Sequence, residues 1–271
     1  RARSRDWEDL FGEVRQMIDQ GVREFILTGV NLGTYESKGN DFLALIDALA
    51  EIPGLDRLRI SSIEPTTIPS ELFGMMADPS HSLMPYLHIP MQSCCDGTLA
   101  GMKRKYGMEE MTAFFDSAAK AIPSLCLGTD LMVGFPGETE SEFEETCDRF
   151  LNLPFAYCHV FTFSEREGTP AAKMDNQVPV EERRLRSARL RRLSSAKRMS
   201  FHENQLGQVF RVLLENPKDG FYSGYTDHYV RVVVPEAPRG LENRMALIKM
   251  KKASPEFIEG ELVSYEGDEE G

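Results

Sequence analysis

The hydrophobic residues in the first part of the chain follow two alternating spacings. Trp7, Phe11, Val14 and Ile18 recur every three or four residues and predict one apolar face of a helix. Apolar runs of strand length follow, and they read EFILTG, LRISS, YLHIP, LGTDLMVG and YCHVFTF. Helical patterns lie between several of these runs, at a strand-to-strand spacing of roughly 30 residues. The alternation predicts a series of βα units.

The predicted strands are continuous apolar runs, which favours a parallel sheet covered by helices. The fold class is therefore α/β, with a partial parallel (β/α) barrel over residues 1–178. Each strand is followed by a polar or glycine-rich segment, at the end of the strand where barrel active sites lie. The first helix has no strand before it. We therefore expect one βα unit upstream of Arg1, in a longer parent protein.

A basic helix is predicted next, over residues 179–205. Between Arg183 and Arg198 the chain has eight arginines or lysines and no acidic residue. An apolar stripe along this helix predicts its packed face, and its members are Leu185, Ala188, Leu193, Ala196 and Met199. The other face is expected to carry the charge.

Residues 206–268 change to alternating, β-branched runs interrupted by turn pairs such as Asn216-Pro217 and Asp219-Gly220. This pattern predicts a small all-β, OB-like barrel. Such a module is too short for a catalytic core of its own and suits RNA binding.

Composition narrows the class of protein. The chain has 271 residues, is 41% hydrophobic and carries a net charge of −12, which argues against binding nucleic acid over its whole surface. No apolar run approaches the length of about 18 residues that a membrane helix needs. Five cysteines without a Cys-x2-Cys pair suggest buried thiols in a reducing compartment. We expect a cytoplasmic protein without membrane contact.

Four segments carry a family resemblance: LTGVNLGTY, LRISSIEP, HIPMQSCCD and GTDLMVGFPGETESEFEET. Together they resemble the radical-SAM tRNA methylthiotransferases, and the terminal segment is similar to a TRAM domain. The segments LTGVNLGTY and RISSIEP resemble the branch of the family that acts on threonylcarbamoyl-adenosine more than the branches that act on isopentenyl-adenosine or on a ribosomal protein. The resemblance implies S-adenosyl-L-methionine (SAM) and two [4Fe-4S] clusters in the full-length parent. It also implies a tRNA anticodon stem-loop as substrate, an electron donor and a sulfur source.

The cysteines that hold those clusters in the family, including a Cys-x3-Cys-x2-Cys set, have no counterpart in this chain. We therefore assign no catalytic residue and no metal ligand here, and we expect no cluster. The chain alone is expected to be inactive.

The resemblance places SAM at the strand ends. The expected contacts are Thr28, Gly29, Asn31, Ser62, Glu64, Gln92, Ser93, Asp130, Val133, Gly134 and Phe135. Gly29 and Gly134 would let the backbone approach a ligand, and Glu64 could accept hydrogen bonds from it. The same residues could instead be ordinary strand-ending turns, with Glu64 capping one of them. His88 is interpreted as a packed strand residue.

RNA contacts are expected from the basic helix and the terminal barrel. The candidates are Arg183, Arg184, Arg191, Arg192, Tyr222, Tyr225, Tyr229, Arg231, Lys251 and Lys252. Aromatic rings can stack on unpaired bases while basic side chains follow phosphates. Some of the aromatics could belong to the barrel core instead, and the helix could be a solvated face.

Three other functions are open at this point. The chain could bind SAM or tRNA without catalysis, or its parent could methylthiolate isopentenyl-adenosine or a ribosomal protein. An ordinary metal-free barrel enzyme, such as an aldolase or hydrolase, is disfavoured. No strand end offers a lysine, a nucleophile–histidine pair or converging metal ligands in recognisable order.

Overall fold

A computed structural model describes residues 3–267. The helices are α1 (Trp7–Asp19), α2 (Phe42–Ala50), α3 (Leu72–Ala77), α4 (Asp96–Gly101), α5 (Met108–Ala121), α6 (Glu140–Asn152) and α7 (Val180–Glu203). The strands of the first part are β1 (Glu24–Leu27), β2 (Glu36–Ser37), β3 (Asn40–Asp41), β4 (Arg57–Ile60), β5 (Tyr86–Gln92), β6 (Cys126–Val133) and β7 (Tyr157–Thr162). Those of the second part are β8 (Val209–Leu214), β9 (Tyr222–Thr226), β10 (Arg231–Val234), β11 (Met245–Ala253) and β12 (Ile258–Tyr265).

The five long strands of the α/β part are parallel, as the sequence predicts. β1 pairs with β4, and β5, β6 and β7 form a second group in that order. A single bridge between Leu58 and Leu83 and a hydrogen bond from Ile63 N to His88 O link the two groups. The strand pairing is therefore interrupted between β4 and β5, which the sequence pattern did not indicate.

The parallel strands have an apolar outer face and a polar inner face. On β4, Leu58 and Ile60 belong to the core shared with the helices, while Arg57 and Arg59 alternate with them. Side chains of a strand point alternately to its two faces. The two arginines therefore lie on what we call the inner face, opposite the helices.

The second part is a closed five-stranded barrel in the order β10-β12-β11-β8-β9. Val212, Val232, Ile248 and Ile258 form its core and are fully buried. The expected small β-barrel is present over the described residues. The predicted domain limits remain predictions, and residue 268 lies outside the described residues.

Two buried arginines hold the barrel against the α/β part. Arg57 donates to the carbonyl oxygens of Tyr225 (2.7 Å) and Arg211 (2.9 Å). Arg59 donates to those of Asp227 (2.7 Å) and Thr226 (2.8 Å). The arginines are 0% and 1% exposed. Glu24 forms ion pairs with both arginines, and Asp227 forms a further ion pair with Arg57.

Helix α7 packs through a different face from the one its apolar residues predict. Leu185, a member of the predicted stripe, is exposed, whereas Arg183, Arg186, Leu190 and Ser194 are buried. The predicted stripe is therefore wrong. The physical reason is that glutamates outside the basic stretch neutralise the buried arginines, so that charged residues can face the protein.

Candidate functional site

Two histidines and an aspartate meet on the inner face of the second strand group. His88 on β5 places Nε2 2.8 Å from Asp130 Oδ1 on β6, and His159 on β7 places Nδ1 3.2 Å from the same oxygen. The imidazole rings are stacked, with centroids 5.0 Å apart. The three residues lie on three neighbouring parallel strands, so strand register brings them together.

The aspartate fixes how both histidines carry their protons. Burial disfavours the charged carboxylate of Asp130, but hydrogen bonds from His159 and His88 outweigh it and hold its pKa below the ordinary value. An ionised carboxylate only accepts hydrogen bonds, so His159 donates from Nδ1. Its Nε2 is left for a ligand, since the side chain is 55% exposed. His88 is buried, as expected, and its Nδ1 lies 3.4 Å from Tyr157 Oη.

A pocket of about 230 Å³ lies beside His159, where the α/β part, helix α7 and the barrel meet. We call it the junction pocket. Its lining side chains include Tyr157, His159, Arg198, Phe201, His202, Tyr225, Tyr229, Arg231 and Glu256. Three parts of the fold therefore contribute to one cavity.

Stacked tyrosines form one wall of the junction pocket. Tyr225 and Tyr229 stack with centroids 4.6 Å apart at 16°, and the tilted ring of Tyr86 also lies 4.6 Å from that of Tyr229. Arg59 lies 5.0 Å from the Tyr229 ring and Arg231 5.5 Å from that of Tyr225. Tyr229 has a left-handed backbone, with φ of 60°. Non-glycine residues in this conformation are strained and concentrate at functional sites.

The expected SAM contacts separate into two groups. Thr28, Gly29 and Asn31 line a cavity of about 550 Å³ beside β1, to which the later strand ends do not contribute. Asn31 accepts a hydrogen bond from Thr67 Oγ1 at 3.0 Å, and Glu64 lies 3.8 Å from Arg104. Ser62 follows β4 and is partly exposed.

At the later strand ends, Gln92 has the features of a ligand contact. Its φ of 70° is left-handed, and the pairing of β5 with β6 shifts register just before it. Its side chain is partly exposed and makes no hydrogen bond within residues 3–267. A strained, partly exposed amide at a strand end suits a polar ligand such as SAM.

Other residues of the expected SAM set have structural partners. Ser93 is buried against Thr146 at 3.1 Å, Val133 is in the core, and Phe135 packs edge-on against Phe163. Asp130 belongs to the histidine cluster. At Gly134, with φ of 75°, a Cβ would overlap the Arg183 side chain. The packing of Arg183 therefore explains why this position needs glycine, without a contact to SAM.

The expected RNA contacts also divide into buried and exposed residues. Arg183 is buried and donates to Val178 O (2.6 Å), while Tyr222 is in the barrel core and bonds to Glu242 (3.1 Å). Arg191 is exposed, and its guanidinium donates to Val160 O at 2.8 Å. The rest are at least partly exposed, namely Arg184, Arg192, Tyr225, Tyr229, Arg231, Lys251 and Lys252. Of these, Tyr225, Tyr229 and Arg231 meet at the junction pocket.

The cysteines do not fit an iron–sulfur cluster. All five are buried and unpaired. Among the described residues, the one group of three or more metal-ligand side chains with atoms within 4.8 Å is His88, Asp130 and His159, and it contains no thiol. Burial raises the pKa of Cys126 and of Cys158 to about 12, which disfavours the thiolate that binds iron.

Sequence reasoning missed His159 and Arg198. Both lie in stretches assigned to other roles, an apolar strand and a basic helix. A signal for His159 was present, because it is the polar residue in YCHVFTF at a position that alternates with Tyr157. Arg198 had no such signal.

Within residues 3–267, no helix combines the length and the apolar character that a membrane span needs.

Comparison with known proteins gives the same family as the motifs. The family model of the radical SAM superfamily matches residues 1–150. The chain is 36% identical to threonylcarbamoyladenosine tRNA methylthiotransferase MtaB of Bacillus subtilis, over 98% of the chain and 60% of that protein. It is 34% identical to the tRNA-2-methylthio-N(6)-dimethylallyladenosine synthase of Anaplasma phagocytophilum, over 96% of the chain and 61% of that protein.

Among solved structures, coproporphyrinogen III oxidase of Escherichia coli, a radical SAM enzyme, has a TM-score of 0.48 at 16% identity. The matched region covers 68% of this chain and 45% of the oxidase chain. The chain thus spans about three fifths of the length of the two curated relatives. It belongs to the radical SAM superfamily, and its curated relatives there are tRNA methylthiotransferases.

Proposed function

We propose that this chain is the SAM-binding and RNA-binding portion of a tRNA methylthiotransferase whose substrate is threonylcarbamoyladenosine beside the anticodon. The family match and the similarity to both kinds of tRNA methylthiotransferase support the general activity. The β1-to-β4 motifs and the MtaB relative favour the threonylcarbamoyl branch. The closed β-barrel is proposed to be the TRAM domain, and the protein is proposed to act in the cytoplasm.

One observation carries the choice of substrate. The inner face beneath the strand ends is polar and ionisable, since it holds the cluster of His88, Asp130 and His159, of which His159 is exposed. A dimethylallyl group is a small hydrocarbon and would gain most from apolar side chains. A threonylcarbamoyl group has amide, hydroxyl and carboxylate groups that need hydrogen-bond partners once they leave water. The inner face suits the polar substituent.

SAM supplies the methyl group when it is bound. The Gln92 amide, held at its strand end, is proposed to contact SAM. Asp130 keeps the proton of His159 on Nδ1 and so turns Nε2 toward the substrate. Tyr229 and Tyr225 exclude water from one side of the substrate. Since the cysteines of this chain do not fit a cluster, we assign no cluster-dependent step to it.

Gene deletion in the source organism tests the proposal. Nucleosides from digested tRNA are measured by mass spectrometry with and without the gene. We expect the methylthio form of threonylcarbamoyladenosine to disappear, its unmethylthiolated precursor to accumulate, and complementation to restore it. Loss of the methylthio form of dimethylallyladenosine instead would assign the protein to the other branch. No change in either nucleoside would refute a role in tRNA.

A further inference from the structure

Strand β7 turns three side chains toward the inner face, and the last of them has no partner. Tyr157 belongs to a buried aromatic cluster, and His159 is bonded to Asp130. Phe161 occupies the next alternate position, while Val160 before it belongs to the core on the helix side. The Phe161 ring is 49% exposed and pairs with no aromatic ring and no cation within residues 3–267. A large apolar ring is therefore left half open to solvent beside the polar cluster.

Phe161 lies at the level of the strand ends. It comes directly before Thr162, the last residue of β7, and its register partner on β6 is Met132. Gln92, the last residue of β5, pairs with the residue before Met132. Neighbouring strands are about 4.8 Å apart, so Phe161 is about 10 Å across the sheet from Gln92. A ligand on this ring and SAM at Gln92 would therefore lie side by side.

The surroundings of the Phe161 ring indicate the chemistry of its occupant. Met132 is partly exposed beside it and adds apolar surface. His159 lies two positions earlier on β7, about 7 Å down the strand, with Nε2 not used by Asp130. The occupant therefore has a flat, largely apolar body with a polar group at one end. A purine with a polar substituent has this shape, and an unpaired base stacks well on an aromatic ring.

We infer that Phe161 is the ring on which the adenine of the substrate nucleotide stacks, with the substituent of that base directed toward His159. This inference rests on the proposed function and adds the residue that positions the base. Stacking is tolerant of what the base carries, because every base has an aromatic face. Phe161 therefore supplies affinity for the base, and the choice between substituents stays with the polar groups of the inner face.

Binding of two anticodon stem-loop RNAs to the 271-residue chain tests the inference. One carries threonylcarbamoyladenosine, and the other carries an abasic residue at the same position. We expect the RNA with the base to bind about tenfold more tightly, which is the scale of one stacked base. Phe161→Leu keeps an apolar side chain but removes the ring, so it should abolish most of this preference. Phe161→Tyr keeps the ring and should keep the preference.

Phe221→Leu is the matched control, because it removes a ring of similar exposure, 46%, from the turn before β9. The preference should be unchanged in this variant. Both phenylalanines are half exposed, so the variants should unfold close to the temperature of the unaltered chain.

The titrations contain no SAM, so a preference that depends on Phe161 cannot come from the adenine of SAM. If Phe161→Leu leaves the preference unchanged, the inference is wrong, and a loss of SAM binding in that variant would assign the ring to SAM instead. Equal binding of the two RNAs by the unaltered chain also overturns it, while leaving RNA binding intact. No binding of either RNA contradicts the proposed function as well.

Discussion

At the scale of single residues, Gly134 shows how a motif position can be fixed from within the protein. It lies between β6 and α6, in a segment that a family resemblance associates with SAM. Its φ of 75° favours glycine, and the side chain of Arg183 occupies the space that a Cβ would need. Its amide also donates to Glu138 at 3.1 Å. A loss of SAM binding on substitution here would therefore not by itself identify a ligand contact.

Replacing Gly134 with alanine should destabilise the protein more than the same change at Gly137. Both have left-handed backbones, but a Cβ at Gly137 meets no atom within 4 Å. Gly137→Ala should cost about 1–2 kcal/mol, the strain of that conformation alone. Gly134→Ala should cost about 1–3 kcal/mol more, because Arg183 must move. Urea unfolding followed by circular dichroism measures both, and equal losses would show that Arg183 moves without cost.

At the scale of elements, the packing of α7 against α6 depends on ion pairs. Arg186 donates to Glu138 (2.7 Å) and to Glu140 (3.0 Å), and Arg189 pairs with Glu144. Helix α6 begins with a capping box in which Thr139 and Glu142 satisfy each other's backbone amides. The acidic run after Gly137 therefore starts one helix and neutralises the next. The same run explains why arginines can occupy the packed face of α7.

Glu138→Gln should destabilise the protein more than Glu144→Gln. Side chains of the Glu138–Arg186 pair are 4% and 6% exposed, whereas those of Glu144 and Arg189 are 41% and 40% exposed. Removing one partner of a buried pair typically costs about 3–5 kcal/mol. Because Glu140 and Glu182 still pair with Arg186, the expected loss is smaller, about 1–3 kcal/mol. An exposed pair contributes about 1 kcal/mol or less. Thermal and urea unfolding of both variants decide the matter, and similar losses would contradict a buried role for Glu138.

At the scale of the whole molecule, the cysteines are distributed so that no three of them converge. Cys126 and Cys158 belong to strands, Cys147 to α6, and Cys94 and Cys95 to the loop after β5. A four-iron cluster needs three or four thiolates at one point. Cluster-binding thiols must therefore come from outside these residues if the proposed function holds.

Anaerobic reconstitution of the 271-residue chain with iron and sulfide should accordingly give no stoichiometric cluster. We also expect no 5′-deoxyadenosine from added SAM. Iron analysis and electron paramagnetic resonance after gel filtration measure the first, and chromatography measures the second. A reducible four-iron signal at one cluster per chain would show that the thiols can rearrange, and the assignment of this chain as a cluster-free portion would be abandoned.

The features that depend on local pattern could be predicted from the sequence, and those that depend on distant partners could not. The parallel strands, α1 and the terminal β-barrel follow from apolar spacing and turn residues. Helix α2 was missed because FLALIDALA is almost continuously apolar, which hides the helical spacing of its buried residues Phe42, Leu45, Ile46 and Leu49. The packed face of α7 was predicted wrongly because its partners are glutamates elsewhere. The pairing of His159 with Asp130 depends on strand register, which no single segment specifies.

The two buried arginines of β4 have a consequence for the order of events during synthesis. Their carbonyl partners on the barrel come 154 to 168 residues later in the chain. While the ribosome is still making the intervening segment, two guanidinium groups on the inner face lack those partners and stay hydrated. Strand β4 can therefore seal its inner face only after residues 211–227 have left the exit tunnel. The nascent α/β part should remain a loosely closed intermediate until the β-barrel is made.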